Sequence, residues 1–383
     1  MKILLIVRDD INDAKTWSGV PLHIKRILSD SNIDFDYIHN LGFPNSILMK
    51  IKNRLRRIFK KENNYYSMET ASYYGKLINK KLKSISSKFD LIFVIDFIEA
   101  LPFVETEIPI VCFTDASYMT LNEISYPGYQ EFSDKKLKCV QEVEEAGIRR
   151  ISYFCLSTDW AIESAERYYP DLKNKFFKLA FSSQVYPPPI ECDYNTLEVS
   201  KNAPVNFLFI GRDWERKGGA KAIKIIHELN RRGINARLII IGEPSGKLAE
   251  EDYFEVVRGC NISSPENRDY YNEIIQNTHF FLLPTKLEAF GLVFVEAMSF
   301  KVPSITHNVN ALKEVVLNQK TGLSLPLETT VEEFASEIIK LIENPNLYQE
   351  MKNKCIQDFN LKYTPEVFIE KIERMVLSLN KKN

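Results

Sequence analysis

Phe280-Phe281-Leu282-Leu283-Pro284-Thr285-Lys286-Leu287-Glu288-Ala289-Phe290-Gly291-Leu292-Val293-Phe294-Val295-Glu296-Ala297-Met298 is the stretch from which the rest of the chain can be ordered. Its opening apolar run reads as a buried strand that Pro284 closes, because proline has no N–H to give a sheet ladder. A short loop carries Glu288, and a helix begins near Gly291. Strand, loop and helix in that order make half of a parallel βαβ unit. A helix start of this kind offers free backbone N–H groups and a positive dipole end, which suit a phosphate.

The same alternation runs outward from this stretch in both directions. After it, strands are expected at 302–306 and 321–325, with helices at 310–317, 330–343, 345–359 and 365–380. Before it come strands 205–210 and 236–241 and helices 218–232 and 268–277. Tyr186-Pro187-Pro188-Pro189 interrupts all regular structure and reads as a linker. Upstream, strands at 2–8, 33–38, 90–96, 109–113 and 152–156 alternate with helices at 20–30, 45–61, 65–86, 130–150 and 158–169. The expectation is an α/β protein of two doubly wound, Rossmann-like parallel-sheet domains, 1–186 and 190–362, with a last helix (363–383) packing back on the first.

Bulk properties narrow the function. With 383 residues the chain exceeds one ordinary core and suits two domains. A formal net charge of -1 is not the signature of a nucleic-acid binder. The six cysteines lie far apart with no Cys-x-x-Cys pair, which argues against a zinc site or disulfide framework and for a reducing, cytoplasmic compartment. The five histidines show no metal-binding spacing. Asp34-Phe35-Asp36 spells an Asp-x-Asp, but the acids alternate with Phe35 and Tyr37 and read as the solvent face of a strand.

Three segments carry chemistry. Glu288 and Glu296 flank a helix start and can reach different parts of one elongated ligand. Phe207-Leu208-Phe209-Ile210-Gly211-Arg212-Asp213-Trp214-Glu215-Arg216-Lys217-Gly218-Gly219 takes a strand into a loop with Arg212 and Lys217. A planar guanidinium fork and a compact ammonium suit a diphosphate leaving group. Thr16-Trp17-Ser18-Gly19-Val20-Pro21 places a glycine after the first strand.

Together these segments resemble the retaining glycosyltransferases of family four, with the GT-B architecture of two Rossmann-like domains facing across a cleft. The resemblance is specific over 205–325 and looser before it. It implies that Glu288 contacts the donor sugar and Glu296 the ribose hydroxyls, with Phe290, Gly291 and Leu292 at the diphosphate. It implies that Arg212 and Lys217 clamp that diphosphate and that Gly19 closes over the donor phosphate. It places a His or Asp after strand 109–113 at the reaction centre, and Asp115 is the candidate, with Asp96 and Glu99 behind it. The implied activity is transfer of a hexose-like sugar from a UDP- or GDP-linked donor to a glycan or lipid-linked acceptor. That transfer proceeds with retention and without metal or cofactor, in the synthesis of a bacterial surface polysaccharide. Two departures, Ala180-Phe181-Ser182-Ser183 and Asn308-Val309-Asn310, replace Pro- and Gly-containing turns and bear on which sugar is taken. Two alternatives stay open: a non-catalytic partner subunit of the same fold, and a sugar-nucleotide epimerase.

Residues 48–61 add a basic amphipathic stretch, with Leu48, Ile51, Leu55, Ile58 and Phe59 at helical spacing among lysines and arginines. Such a helix suits an anionic membrane surface, giving peripheral association, or packs its apolar stripe on the first sheet. The residues alone do not choose.

Overall fold

A computed structural model describes residues 1–42, 66–85, 87–129, 132–185, 197–245, 253–258 and 265–380. The expected helix at 45–61, with its basic stretch, and the expected linker at 186–189 lie outside these residues. The chain divides into two compact units: unit 1 is Met1–Ala180 with Phe368–Asn383, and unit 2 is Phe181–Val367.

Unit 1 contains β1 (Lys2–Val7), α1 (Val20–Asp30), β2 (Asp34–Ile38), α2 (Met68–Ser84), β3 (Leu91–Ile95), β4 (Ile110–Thr114), α3 (Tyr118–Glu123), α4 (Asp134–Arg150), β5 (Tyr153–Leu156), α5 (Asp159–Tyr168) and β6 (Phe176–Lys178). Its six parallel strands lie in the order β2-β1-β3-β4-β5-β6. β3 and β4 are buried at every position, as strands covered on both faces must be. β2 is an edge strand whose Asp34 and Asp36 are exposed, and Asp36 pairs with Lys2 at 3.4 Å.

Unit 2 contains β7 (Val205–Gly211), α6 (Gly219–Arg231), β8 (Ala236–Gly242), β9 (Phe254–Val257), α7 (Pro265–Gln276), β10 (Phe280–Leu283), α8 (Leu292–Ser299), β11 (Ser304–His307), α9 (Leu312–Val315), β12 (Gly322–Leu325), α10 (Val331–Ile342) and α11 (Pro345–Lys362). Its parallel sheet runs β12-β11-β10-β7-β8-β9. The last described helix, α12 (Pro365–Asn380), passes from unit 2 into unit 1. There Phe368 sits edge-on against Phe93 and Phe113, and Met375 Sδ lies 3.6 Å from Cys155 Sγ.

Both sheets are wound in two directions from an inner strand. In unit 2 the chain builds β7, β8 and β9 one way, then returns to the other side of β7 with β10, β11 and β12. The switch falls between β7 and β10. Loops leaving their carboxyl ends diverge there and leave a crevice, where such sheets bind ligands. In unit 1 the corresponding switch falls between β1 and β3. The edge strands β6 and β9 were not legible in the sequence. Both are short and partly exposed, so neither carries a continuous apolar run.

Candidate active site

The loops after β7 and β10 carry most of the donor-site candidates, and the structure joins two of them, Lys217 and Glu288. Asp213 makes a tight turn, accepting from the Arg216 main-chain N–H at 3.2 Å and pairing with Arg216 Nε at 3.0 Å. The turn folds Arg216 back, so that its Nη1 donates to the Leu287 carbonyl at 2.8 Å and lies 3.3 Å from Glu288 Oε1. Lys217 Nζ pairs with the same Glu288 oxygen. Glu288 is only 3% exposed, and two cations and the Thr285 hydroxyl, at 3.2 Å, surround its carboxylate. A buried carboxylate is tolerated only when paired and hydrogen-bonded in this way.

Arg212, expected to share the clamp, is exposed and stands outside this cluster. Arg216 takes the inner position. The sequence analysis singled out Arg212 alone; the Asp213 turn brings Arg216 to Glu288. Gly218 explains why the loops can meet: its φ is +76°, and a Cβ there would lie 2.1 Å from the Pro284 carbonyl oxygen. Lys286 N–H donates to the Arg216 carbonyl at 2.9 Å, closing the loops together from the other side.

Gly291 is the left-handed cap, φ +89°, from which α8 starts. Gly291, Leu292 and Val293 are partly accessible, so the first turn of the helix is open to a ligand. The Phe290 side chain, by contrast, is buried between Phe181 (4.8 Å) and Tyr363 (6.2 Å). What Phe290 can offer a ligand is its main chain. Glu296, one turn inside α8, is 4% exposed and accepts from the Tyr271 hydroxyl of α7 at 2.7 Å. Burial pushes its carboxyl up to about 7, and the Tyr271 bond pulls the other way. Tyr271 was not singled out in the sequence because no local pattern ties α7 to α8.

His307, the last residue of β11, also belongs to this neighbourhood. Its Nδ1 is 2.9 Å from the Thr285 carbonyl and its Nε2 2.9 Å from Lys221 Nζ.

Unit 1 carries the remaining candidates in the loops after β1, β3 and β4. Asp96, at φ +47° just after β3, accepts from the Thr114 hydroxyl at 2.8 Å. Asp115 follows β4 and accepts from the Ala116 N–H at 2.8 Å. Burial and then the Asp96 charge push the Asp115 carboxyl up to about 7. Glu99 accepts from the Tyr118 hydroxyl at 2.5 Å and lies 3.8 Å from Arg8 Nη1. Burial raises it, too, to about 7. Gly19 (φ +82°) follows Trp17 and Ser18, which also have positive φ at 40° and 54°. Three successive left-handed residues make a costly turn, of the kind that persists when its surroundings fix it.

Comparisons with known proteins bear on the fold and the family. Residues 198–358 match the family model described as "Glycosyl transferases group 1", which encloses the whole β7–β10 crevice. The capsular polysaccharide biosynthesis glycosyltransferase CapM of Staphylococcus aureus is 26% identical over 211 residues, 53% of this chain and 55% of that protein. The chain thus spans about half the length of the curated relatives it matches. Sucrose-phosphate synthase from Thermosynechococcus elongatus superposes with a TM-score of 0.68 at 13% identity, covering 100% of both chains. HepE of Anabaena, solved with UDP and glucose, superposes with a TM-score of 0.62 at 14% identity, covering 99% of this chain and 100% of that one. The two six-stranded parallel sheets and these neighbours give the fold as GT-B.

Proposed function

We propose that the chain is a group 1 glycosyltransferase that moves a hexose-like sugar from a nucleoside diphosphate donor to a glycan or lipid-linked acceptor. One observation carries the reading: Lys217, Arg216 and Glu288 converge at the switch crevice of unit 2, beside the open start of α8. As a glycosidic bond to a diphosphate breaks, negative charge grows on the departing nucleotide. Cations held in a partly buried site stabilise that developing charge more than the ground state. Glu288 now shares both cations, and an entering diphosphate competes with it for them. That competition frees Glu288 for sugar hydroxyls.

In this reading the α8 N-terminus and the main chain of Phe290, Gly291 and Leu292 bind the diphosphate, and Glu296 accepts from the ribose hydroxyls. Arg212, exposed at the rim, adds a further cation. We assign Gly19 to the donor phosphate and Asp115 to the acceptor. The cations supply the neutralisation that a divalent metal gives other enzymes, so the reaction proceeds without one, and with retention of configuration. The name of the relative CapM and the UDP and glucose bound to HepE support a sugar-nucleotide donor, UDP- or GDP-linked, and a role in surface polysaccharide synthesis. Among the described residues no helix is long and apolar enough to cross a membrane. We place the protein in the cytoplasm, with residues 48–61 as a peripheral contact to the inner membrane face.

Release of nucleoside diphosphate from a panel of UDP- and GDP-hexoses tests this. At least one donor should turn over, and Lys217→Ala or Glu288→Gln should slow it by about 10²–10³-fold. A protein that leaves every donor intact is a non-catalytic subunit; one that interconverts the sugar without releasing nucleotide is an epimerase. Either result overturns the proposal.

A further inference from the structure

We infer that Lys221 and His307 form a positioning clamp that fixes the Thr285 main chain, and through Thr285 sets Glu288 for the donor sugar. This rests on the donor-site reading above. The clamp works in only one state of the His307 ring, and the geometry identifies that state. The Thr285 carbonyl can only accept, so Nδ1, 2.9 Å away, carries the proton. The Lys221 ammonium can only donate, so Nε2, also 2.9 Å away, is bare. Both bonds exist together only in the neutral Nδ1–H tautomer. A second proton on Nε2 would set two donors and two positive charges face to face.

Lys221 is not placed there by helix energetics. It lies in the first turn of α6, where the helix dipole disfavours a cation. It is held instead by partners from other elements. Besides His307, its Nζ donates to the Thr329 carbonyl at 2.5 Å and sits 5.0 Å from the centre of the Phe334 ring of α10. The edge of the His307 ring meets the same Phe334, at 5.3 Å and 77°. His307 is 2% exposed, so water does not compete for either bond.

Thr285 passes this constraint on. Its carbonyl is held by His307, while its hydroxyl lies 3.2 Å from each of Glu288 Oε1, the Leu287 carbonyl and the Arg216 carbonyl. One residue thus joins the clamp to both loops of the crevice. Every charged group facing the ring comes from a different element: Lys221 from α6, Glu328 from the segment after β12, and Glu333 of α10 acting on Lys221. Burial and Lys221 hold the His307 imidazole below its usual range, which keeps it neutral near pH 7.

Two measurements test the clamp. Ring-nitrogen NMR shifts of the wild type should show an Nδ1–H, Nε2-bare histidine. In Lys221→Met, loss of the facing charge should raise the pH at which this ring titrates. An Nε2–H tautomer, or no change in the titration, overturns the inference. Both readouts need no substrate, so they stand even if the donor reading fails. Where a donor turns over, His307→Phe should lower kcat about 10- to 100-fold while UDP or GDP affinity by calorimetry stays within about threefold. His307→Asn, whose amide can donate where Nδ1 does, should recover most of the loss. Equal kcat in wild type and His307→Phe, or no recovery by His307→Asn, refutes the role in positioning. Absence of UDP and GDP binding in the wild type would instead point to failure of the donor reading.

Discussion

Glu296 shows how one side chain's surroundings set a measurable property. Its carboxyl is buried and therefore favours the proton, with a pKa near 7, while the Tyr271 hydroxyl favours the charged form. In the proposed role the ionised group is the better acceptor for two ribose hydroxyls. Affinity for UDP or GDP should accordingly weaken as pH falls below about 7. Tyr271→Phe removes the bond that lowers the pKa, so it should move this acid limb to higher pH, and Glu296→Gln should abolish it. Calorimetric titrations between about pH 5.5 and 8.5 would bracket the transition. A limb that ignores Tyr271→Phe would mean that another group titrates. Some of this was legible beforehand: Glu288 and Glu296 announce themselves by flanking a helix start. Tyr271, Thr285 and Lys221 do not, because their roles depend on which elements the fold packs against α8 and β11. Arg216 was passed over for Arg212, because the Asp213 turn that folds it back onto Glu288 could not be read from the loop's sequence.

At the scale of elements, the crevice depends on two loops passing within backbone distance of each other. Gly218→Ala would push a Cβ into the Pro284 carbonyl, a backbone atom that cannot rotate away, and would also strain a left-handed φ. The strain alone is worth about 1–3 kcal/mol. The variant should lose thermal stability in unit 2 and separate Lys217 from Glu288, so activity should fall further than stability does. A Gly218→Ala protein with wild-type melting and turnover would show that the loops are not closely braced. Alternation of short apolar runs with amphipathic stretches announced ten of the twelve strands among the described residues, since strands covered on both faces need continuous apolar sequence. β6 and β9 escaped because edge strands do not need it. The short helix α3 escaped as well. Its start is capped locally by Ser117, which accepts from the Thr120 N–H at 3.1 Å, and from a distance by Glu144, which accepts from the Tyr118 N–H at 2.7 Å. The departure at Asn308-Val309-Asn310 has a local explanation: Asn310 adopts φ +45°, a left-handed conformation that asparagine tolerates where glycine is more usual.

At the scale of the whole molecule, unit 1 is discontinuous in sequence. Phe368, Met375 and Ser378 complete a core otherwise made by residues before 181, with Ser378 Oγ 3.3 Å from the Tyr153 hydroxyl. Truncation after Val367 should therefore destabilise unit 1 more than unit 2. Hydrogen exchange would show it as faster exchange in β3, β4 and β5 while β7, β8 and β10 stay protected. Equal loosening of both units would contradict the division. The family match covers most of unit 2 and stops short of this helix.

The return of α12 to unit 1 also sets an order in time. During synthesis the first 180 residues emerge well before residue 368 is made, and at ordinary elongation rates the wait is roughly 10–40 s. Through that interval Phe93 and Phe113 lack the aromatic lid that Phe368 later supplies. The nascent first half is therefore a natural client for chaperones. A ribosome that stalls late in the message would release a chain whose second unit can complete its core while its first cannot.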